Sequence, residues 1–385
     1  MTLDLTFARE MFEQSVDFTV GLEEEFALLD PETLGLVARF EEMQAASLDD
    51  AELAASVAGE LIASEIEIRS GRGENFVHAV ALQDNHRKRL FALAERLGVS
   101  LGATGAHPWS PWQEQRIIDT EHYRRVERDL GYVAWRNNTF SLHVHVGIQG
   151  ADRAIAVCDR MRSVLPELLA LSASSPFVEG RDSGLHSART QLFTRNFPRC
   201  GIPEPFFNWQ TYADFIEFLK NTNSIVESTQ LWWSVRPHHG FGTVEVRICD
   251  AQPNAFDSTA LSGLIVACVA QSARDYDEGR TYVQPSGRML EENLWRAIRH
   301  GLDGRLIDLQ LAEEYPAAAI ADRLLTWTAP VRAELGIDPQ LPQQNAAQRL
   351  REYESPEVAF AAAVKETAST YRGAEAIASE TLGVA

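Results

Sequence analysis

The sequence predicts an α+β fold in which a mainly antiparallel sheet turns an aliphatic face to packing helices and keeps its other face polar. Three observations lead there. Four segments alternate between aliphatic residues and Glu, His or Arg, as a strand with two unlike faces must. The separations between these segments are long and irregular, which suits a mixed or antiparallel sheet better than regular βαβ units. Other stretches carry apolar residues at spacings of three and four, the period of helices with one buried side.

The first strand runs from Phe18 to Leu29, with Phe18, Val20, Leu22, Phe26 and Leu28 on one side and Gly21, Glu23, Glu25 and Ala27 on the other. Glu24 falls on the aliphatic side, where a packed residue is expected. The second, Leu61 to Ser70, sets Ile62, Ile66 and Ile68 against Glu65, Glu67 and Arg69. A helix follows over Asn75 to Leu97. The third strand, Phe140 to Ile148, separates Phe140, Leu142, Val144, Val146 and Ile148 from Ser141, His143, His145 and Gly147. It leads into a helix over Asp152 to Ala173. The fourth, Gly242 to Asp250, separates Val244, Val246 and Ile248 from Thr243, Glu245, Arg247 and Cys249, with Asp250 read as a turn or cap residue. Helices over Asp257 to Ala273, Glu291 to His300 and Ala317 to Leu335 complete the elements. No internal repeat or low-complexity linker divides the chain. The expectation is a single domain over residues 1–385, of which 281–385 form a mainly helical C-terminal part.

Bulk properties narrow the function. The 385 residues carry a formal charge of -20, which argues against an electrostatic footprint for nucleic acid or anionic membrane. The longest apolar stretch, around Leu261 to Ala270, is too short to span a bilayer. Cys158, Cys200, Cys249 and Cys268 lie far apart, so neither a zinc ribbon nor a disulfide framework is indicated. Asp4, Arg9, Glu10 and Glu13 stand where a secretory signal would be basic and then apolar. A cytoplasmic location is expected, with homodimerisation as the default assembly of a soluble enzyme.

The polar faces carry the chemistry. Carboxylates at i and i+2 on a strand sit roughly 7 Å apart, close enough for hard cations in one site to take one each or share them. Glu23 and Glu25 are such a pair, and Glu67, His145 and Glu245 complete the cluster if the strands are neighbours. Magnesium prefers carboxylate and substrate phosphate oxygens, which suits a nucleotide-bound metal. His143 and His145 share a face and also fit the His-x-His of a zinc hydrolase, but carboxylates outnumber them; His143 reads better as a hydrogen-bonded structural residue. Arg247, two residues from Glu245, is suited to gripping a transferring phosphoryl group. Arg189, Arg195 and Arg236 lie in polar loops where anionic substrate groups can be held. His107-Pro108-Trp109 and Trp232-Trp233 read as cavity wall or core.

With those residues in view, the chain resembles the bacterial type 2 glutamate-cysteine ligase family, the carboxylate-amine ligases, whose fold is similar to the catalytic domain of glutamine synthetase. The matching segments are Gly21-Leu-Glu-Glu-Glu-Phe26, Glu65-Ile-Glu-Ile68, Gly105-Ala-His-Pro-Trp109, His143-Val-His-Val-Gly147, Ser187-Ala-Arg189, Arg236-Pro237, Phe241-Gly-Thr-Val-Glu-Val-Arg247 and Trp295-Arg-Ala-Ile-Arg-His-Gly-Leu-Asp303. The resemblance implies two or three Mg2+ ions held by Glu23, Glu25, Glu67, His145 and Glu245, ATP as co-substrate and Arg247 on its γ-phosphate. It also implies Arg189, Arg236 and His143 as contacts for the substrate carboxylate or phosphates. In relatives a Leu or Met stands at the position of Glu24. The expected reaction joins the side-chain carboxylate of glutamate to an amine such as cysteine through an acyl phosphate, with Glu65 orienting or deprotonating the amine. Two other readings stay open from the residues: a metal-dependent amidohydrolase, and a nucleotide- or amino-acid-binding protein without turnover.

Overall fold

The computed structural model describes residues 3–373. Its principal elements in chain order are β1 (Val20–Leu29), β2 (Val57–Ala58), β3 (Glu65–Arg69), α1 (Phe76–Arg96), β4 (Ser100–Gly102), β5 (Ser141–Gly147), α2 (Ala151–Met161), α3 (Leu165–Ser172), β6 (Val235–His238) and β7 (Thr243–Asp250). They continue with α4 (Ala255–Asp277), α5 (Gly287–His300), β8 (Arg305–Asp308), β9 (Glu313–Pro316), α6 (Ile320–Leu335) and α7 (Pro356–Tyr371).

A seven-stranded sheet in the order β6-β7-β5-β1-β3-β2, with β4 also on β1, is antiparallel at every pairing. Its aliphatic face lies on two cores. Under β5 and β7, Val144, Val146, Val244 and Val246 meet α2, α3 and α4. Under β1 and β3, Phe26, Leu28, Ile66 and Ile68 meet α1 and α7. Helix starts are fixed by side-chain caps: Asn75 accepts from the His78 amide, Asn254 from Phe256 and Ser286 from Met289.

Several expectations need correction. The helix read over Asp152 to Ala173 is two helices. Pro166 has no amide hydrogen and its ring excludes the carbonyl four residues back, so the chain breaks after Met161 and restarts at Leu165 with the proline in the first turn. The apolar run around Leu261 belongs to a 23-residue helix, α4, which by length and mean hydropathy is able to cross a membrane; 83% of that window is buried inside the fold, as in a core helix. The C-terminal part holds α5, α6 and α7 but also the β8-β9 hairpin, and residues 374–385 lie outside the described residues. Arg236 is not in a loop: it lies on β6, an edge strand that tolerates Pro237 because no further strand needs its amide.

A register shift between Val246 and Cys249 corrects the reading of β7's far end. One extra residue in the bulge inverts the alternation beyond it, so Cys249 turns into the aliphatic core and Asp250 to the other side. Asp250 is no surface turn residue. Fully buried, its carboxylate accepts from the Ser174 amide at 3.0 Å, Ser175 Oγ at 2.7 Å and Ser187 Oγ at 2.9 Å.

Candidate active site

Because every pairing is antiparallel, residues opposite one another share a face, and the register writes the polar floor in rows. One row runs Gly21, His145, Glu245, Arg236 across β1, β5, β7 and β6. The next runs Arg69, Glu23, His143 across β3, β1 and β5, and Glu67 opposes Glu25 in a third. The four alternating segments of the sequence are thus neighbours, and their acidic and imidazole groups converge.

Glu23 stands at the centre, with Oε2 3.3 Å from His143 Nδ1 and Oε1 3.3 Å from His145 Nε2. His145 Nε2 is also 3.9 Å from Glu245 Oε1, while its Nδ1 is 3.0 Å from Thr243 Oγ1. Arg236 grips Glu245 through Nε at 2.6 Å and a second nitrogen at 3.1 Å, and Arg247 pairs with the same carboxylate. Glu25 accepts from the backbone amide of Ser141 and, at 2.6 Å, from its hydroxyl, which lies 2.7 Å from His143 Nε2. Arg69 pairs with Glu67. Above the floor is a cavity of about 300 Å3 lined by Glu23, Glu25, Glu65, Glu67, Glu245 and the guanidiniums of Arg69, Arg189, Arg236 and Arg247.

Burial and charge sort the carboxyls into two kinds. Burial pushes Glu23 and Glu245 upward, but His145 beside the first, and Arg236 and Arg247 beside the second, outweigh it and hold both well below the usual carboxylate range. Glu65 and Glu67 go the other way: burial, then the charges of Glu25 and Glu23 respectively, raise them well above it. His143 is lowered by burial and by Arg247, whereas His145 is raised because Glu245 and Glu23 outweigh burial.

With all its carboxyls ionised the floor would carry more negative charge than its arginines neutralise, and the raised Glu65 and Glu67 reflect that crowding. Two atoms mark where a cation fits. His145 Nε2 is buried and out of hydrogen-bonding alignment with the carboxylates beside it, and Glu65 Oε2 is buried without a partner. Glu23, His143 and Glu245, and likewise Glu25, Glu67 and His143, bring ligand atoms within 4.8 Å of one another. A donor set of carboxylate oxygens with a single imidazole or two suits Mg2+ better than a soft metal.

The remaining candidates sit as follows. His143 has both ring nitrogens engaged, with Nδ1 also 3.4 Å from an Arg247 nitrogen. Arg189 lines the cavity but donates to the Ile248 carbonyl at 3.0 Å and the Arg247 carbonyl at 3.2 Å. Arg195 lies outside the cavity lining, 3.5 Å from Glu291. His107 is buried away from the floor, Nε2 bonded to the Leu34 carbonyl at 2.8 Å; Trp232 lines the cavity and Trp233 is core.

Sequence reasoning missed Glu60. It lies between β2 and β3, and its carboxyl is raised to about 7 by burial and by Glu25 against the pull of Arg247 and Arg69. The Tyr123 hydroxyl pins this segment by donating to the Gly59 carbonyl at 2.5 Å. No alternation signals an isolated acid in a loop.

A second cavity, of about 310 Å3, opens at the other end of the floor between Met11, Val16, Val20, Leu22 and Phe241. It shares Glu23, Arg69, His145 and Phe241 with the first, so the floor is common to both.

Comparison with known proteins bears on family and fold. Residues 19–352 match the family model described as glutamate-cysteine ligase family 2. A Rubrobacter xylanophilus protein provisionally named glutamate-cysteine ligase 2-2 is 39% identical over 81% of this chain and 80% of its own length. A Sorangium cellulosum protein provisionally named glutamate-cysteine ligase 2 is 39% identical over 80% and 82% respectively. Among solved structures, the glutamate-cysteine ligase of Francisella tularensis in complex with AMP superposes with a TM-score of 0.66 at 12% identity, over 94% of this chain and 91% of that one. The bifunctional glutathione synthetase of Pasteurella multocida gives 0.67 at 13% identity over 95% of this chain, which spans only 54% of that one. At such identities these two show a shared fold.

Proposed function

Because this chain belongs to glutamate-cysteine ligase family 2, an ATP-dependent carbon-nitrogen ligase family, we propose that it joins the side-chain carboxylate of glutamate to an amine through an acyl phosphate. The observation that supports this most is the convergence of Glu23, Glu25, Glu67, His145 and Glu245 with Arg247 on one cavity floor. A carboxylate does not condense with an amine at neutral pH, so ATP activates it.

The carboxylate oxygen of the donor attacks the γ-phosphorus, ADP departs, and the amine then displaces phosphate from the acyl carbon. Glu23, Glu25, Glu67, His145 and Glu245 are the residues that would hold Mg2+, in two or three positions, and the ions would supply neutralising charge for the phosphate oxygens. Glu245 fixes Arg247 through one guanidinium nitrogen and leaves its buried Nε without a partner, a donor free for a phosphoryl oxygen. Arg236 positions Glu245 by the two-point contact, and His143 positions Glu23 and, through Ser141, Glu25. Glu65, with one oxygen free, takes the proton of the incoming ammonium. The second cavity, mostly apolar and continuous with the floor, takes the nucleotide base; the AMP in the Francisella protein of the same fold supports a nucleotide site. Beside this reading we propose a single catalytic domain, a cytoplasmic location, small-molecule partners and homodimeric assembly.

The test is isotopic. With glutamate labelled by 18O in its side-chain carboxylate, Mg2+, ATP and an amine, one label should appear in the released phosphate; amine-dependent turnover with unlabelled phosphate would exclude the acyl phosphate.

A further inference from the structure

The second cavity carries two side chains that the fold itself does not use. The first is in the turn between β3 and α1, which is pinned to β1 at both ends. The Leu22 amide donates to Ser70 Oγ at 2.9 Å and the Ser70 amide to the Leu22 carbonyl at 2.8 Å, while Val20 and Gly73 exchange backbone hydrogen bonds at 3.0 and 2.8 Å. Gly71, at φ 72°, supplies the left-handed residue the turn requires. Between these anchors Arg72 stands exposed on the cavity lining. The other arginines of the two cavities are committed: Arg69 to Glu67, Arg189 to two carbonyls, Arg236 and Arg247 to Glu245. Arg72 alone among them has neither a hydrogen bond nor an ion pair with the described residues. A guanidinium held on a fixed turn and left unpaired beside a cavity is placed to take an anion from outside.

The second is Phe241, in the turn from β6 to β7. One face of its ring lies on His238, with centroids 4.2 Å apart and planes 14° from parallel, yet 54% of the residue is exposed. The turn is clamped from beneath: Ser15 Oγ donates to the Gly242 carbonyl at 2.8 Å, and a side chain on Gly242, at φ 62°, would strike the Met11 carbonyl. A ring fixed in this way on the lining of both cavities offers its remaining surface to a flat apolar body.

The cavities meet at Glu23, Arg69, His145 and Phe241. A nucleotide with its γ-phosphate at Arg247 and its base in the second cavity carries its other phosphates across that junction, and Arg72 lines the same cavity three residues beyond Arg69. We propose that Arg72 and Phe241 clamp the nucleoside diphosphate portion of ATP, Arg72 at the α- and β-phosphates and Phe241 by stacking on the base. The proposal rests on the ligase reading above and adds the two residues that hold ADP, the leaving group.

The two contacts are separable because only one depends on phosphate. Adenosine, AMP and ADP, with Mg2+, are measured as competitors of a fluorescent ATP analogue on the wild-type protein, Arg72→Ala, Phe241→Ala and Phe241→Trp, with folding checked by circular dichroism. Arg72→Ala should weaken ADP by at least about tenfold and leave adenosine within about twofold. Phe241→Ala should weaken all three ligands by one common factor of about tenfold, and Phe241→Trp should bind them as the wild type does. Unchanged ADP affinity in Arg72→Ala, or adenosine weakened there as much as ADP, overturns the phosphate contact. Unchanged affinities in Phe241→Ala, or a Phe241→Trp variant as weak as Phe241→Ala, overturn the stacking. A separate assay of the wild-type protein with Mg2+, ATP, glutamate and hydroxylamine reports the activated carboxylate as glutamyl hydroxamate. Hydroxamate formation beside unmoved affinities in the variants overturns this proposal and leaves the ligase reading standing; absence of hydroxamate removes the ligase reading, and this proposal with it.

Discussion

Arg87 lies beneath Glu24 on the helix-packed face of the sheet, its guanidinium meeting the two carboxylate oxygens at 2.7 and 2.6 Å. Both residues are almost wholly buried, and the pair is completed by Gln83 at 2.9 Å, by the Ser258 hydroxyl and by the Tyr371 ring 5.0 Å from the guanidinium carbon. One carboxylate at a position the alternation reserves for an aliphatic residue thus ties β1 to α1, α4 and α7. Burial works to raise Glu24, and Arg87 outweighs it and holds the carboxyl low.

Breaking that pair on one side should be worse than removing it. Arg87→Ala strands a buried carboxylate and should cost about 3–5 kcal/mol of unfolding free energy, whereas Glu24→Leu with Arg87→Leu should recover most of the loss. Urea denaturation of the three proteins decides it. A double variant no more stable than Arg87→Ala would mean that the surrounding hydrogen bonds, rather than the charges, set the requirement.

Arg247→Lys keeps a charge but loses the planar fork that serves Glu245 with one nitrogen and offers another to the phosphoryl group. A fall of about 10²–10³ in kcat for ADP release is expected, with a small change in KM for ATP, the mark of an interaction made chiefly in the transition state. A large rise in KM at constant kcat would make Arg247 a binding residue only.

Mg2+ should displace protons. Glu60 is raised to about 7, so its carboxyl is part-protonated near neutral pH, and burial with the neighbouring carboxylates raises Glu65 and Glu67 well above the usual range as well. A cation favours the ionised forms, so its affinity should rise from about pH 6 to about pH 8, with net proton release. Titration calorimetry at one pH in two buffers of different ionisation enthalpy measures the release directly. Identical heats in both buffers would show that the cation does not reach these three groups.

What was legible in the chain was whatever alternation decides. Glu23, Glu25, Glu67, His145 and Glu245 share a face by parity alone, and long aliphatic strands leave the register little freedom. Parity fails where the ladder does: the bulge after Val246 exchanges the sides of Cys249 and Asp250, and nothing local announces an inserted residue. Glu60 was invisible because a loop has no period, and Arg236 was misplaced because a short edge strand containing Pro237 reads as a turn. The break before Pro166 was readable from the proline and was overridden by the helical spacing on either side.

Glu65 offers the sharpest separation of chemistry from binding. Its free Oε2 sits on the floor, and burial with Glu25 and Glu60 raises its carboxyl, which makes it a stronger base once ionised. An alkylamine arrives as an ammonium and must lose a proton to attack; hydroxylamine at neutral pH is already unprotonated and needs no such help. Glu65→Gln should therefore slow amide formation with an alkylamine by about 10²–10⁴ while leaving hydroxamate formation much closer to wild type. Since the base acts only when ionised, the wild-type rate with the alkylamine should rise with pH through the raised carboxyl, and Glu65→Gln should lose that ascending limb. Equal slowing of both nucleophiles would instead place Glu65 in metal or donor binding, because only a proton acceptor for the amine can tell the two apart.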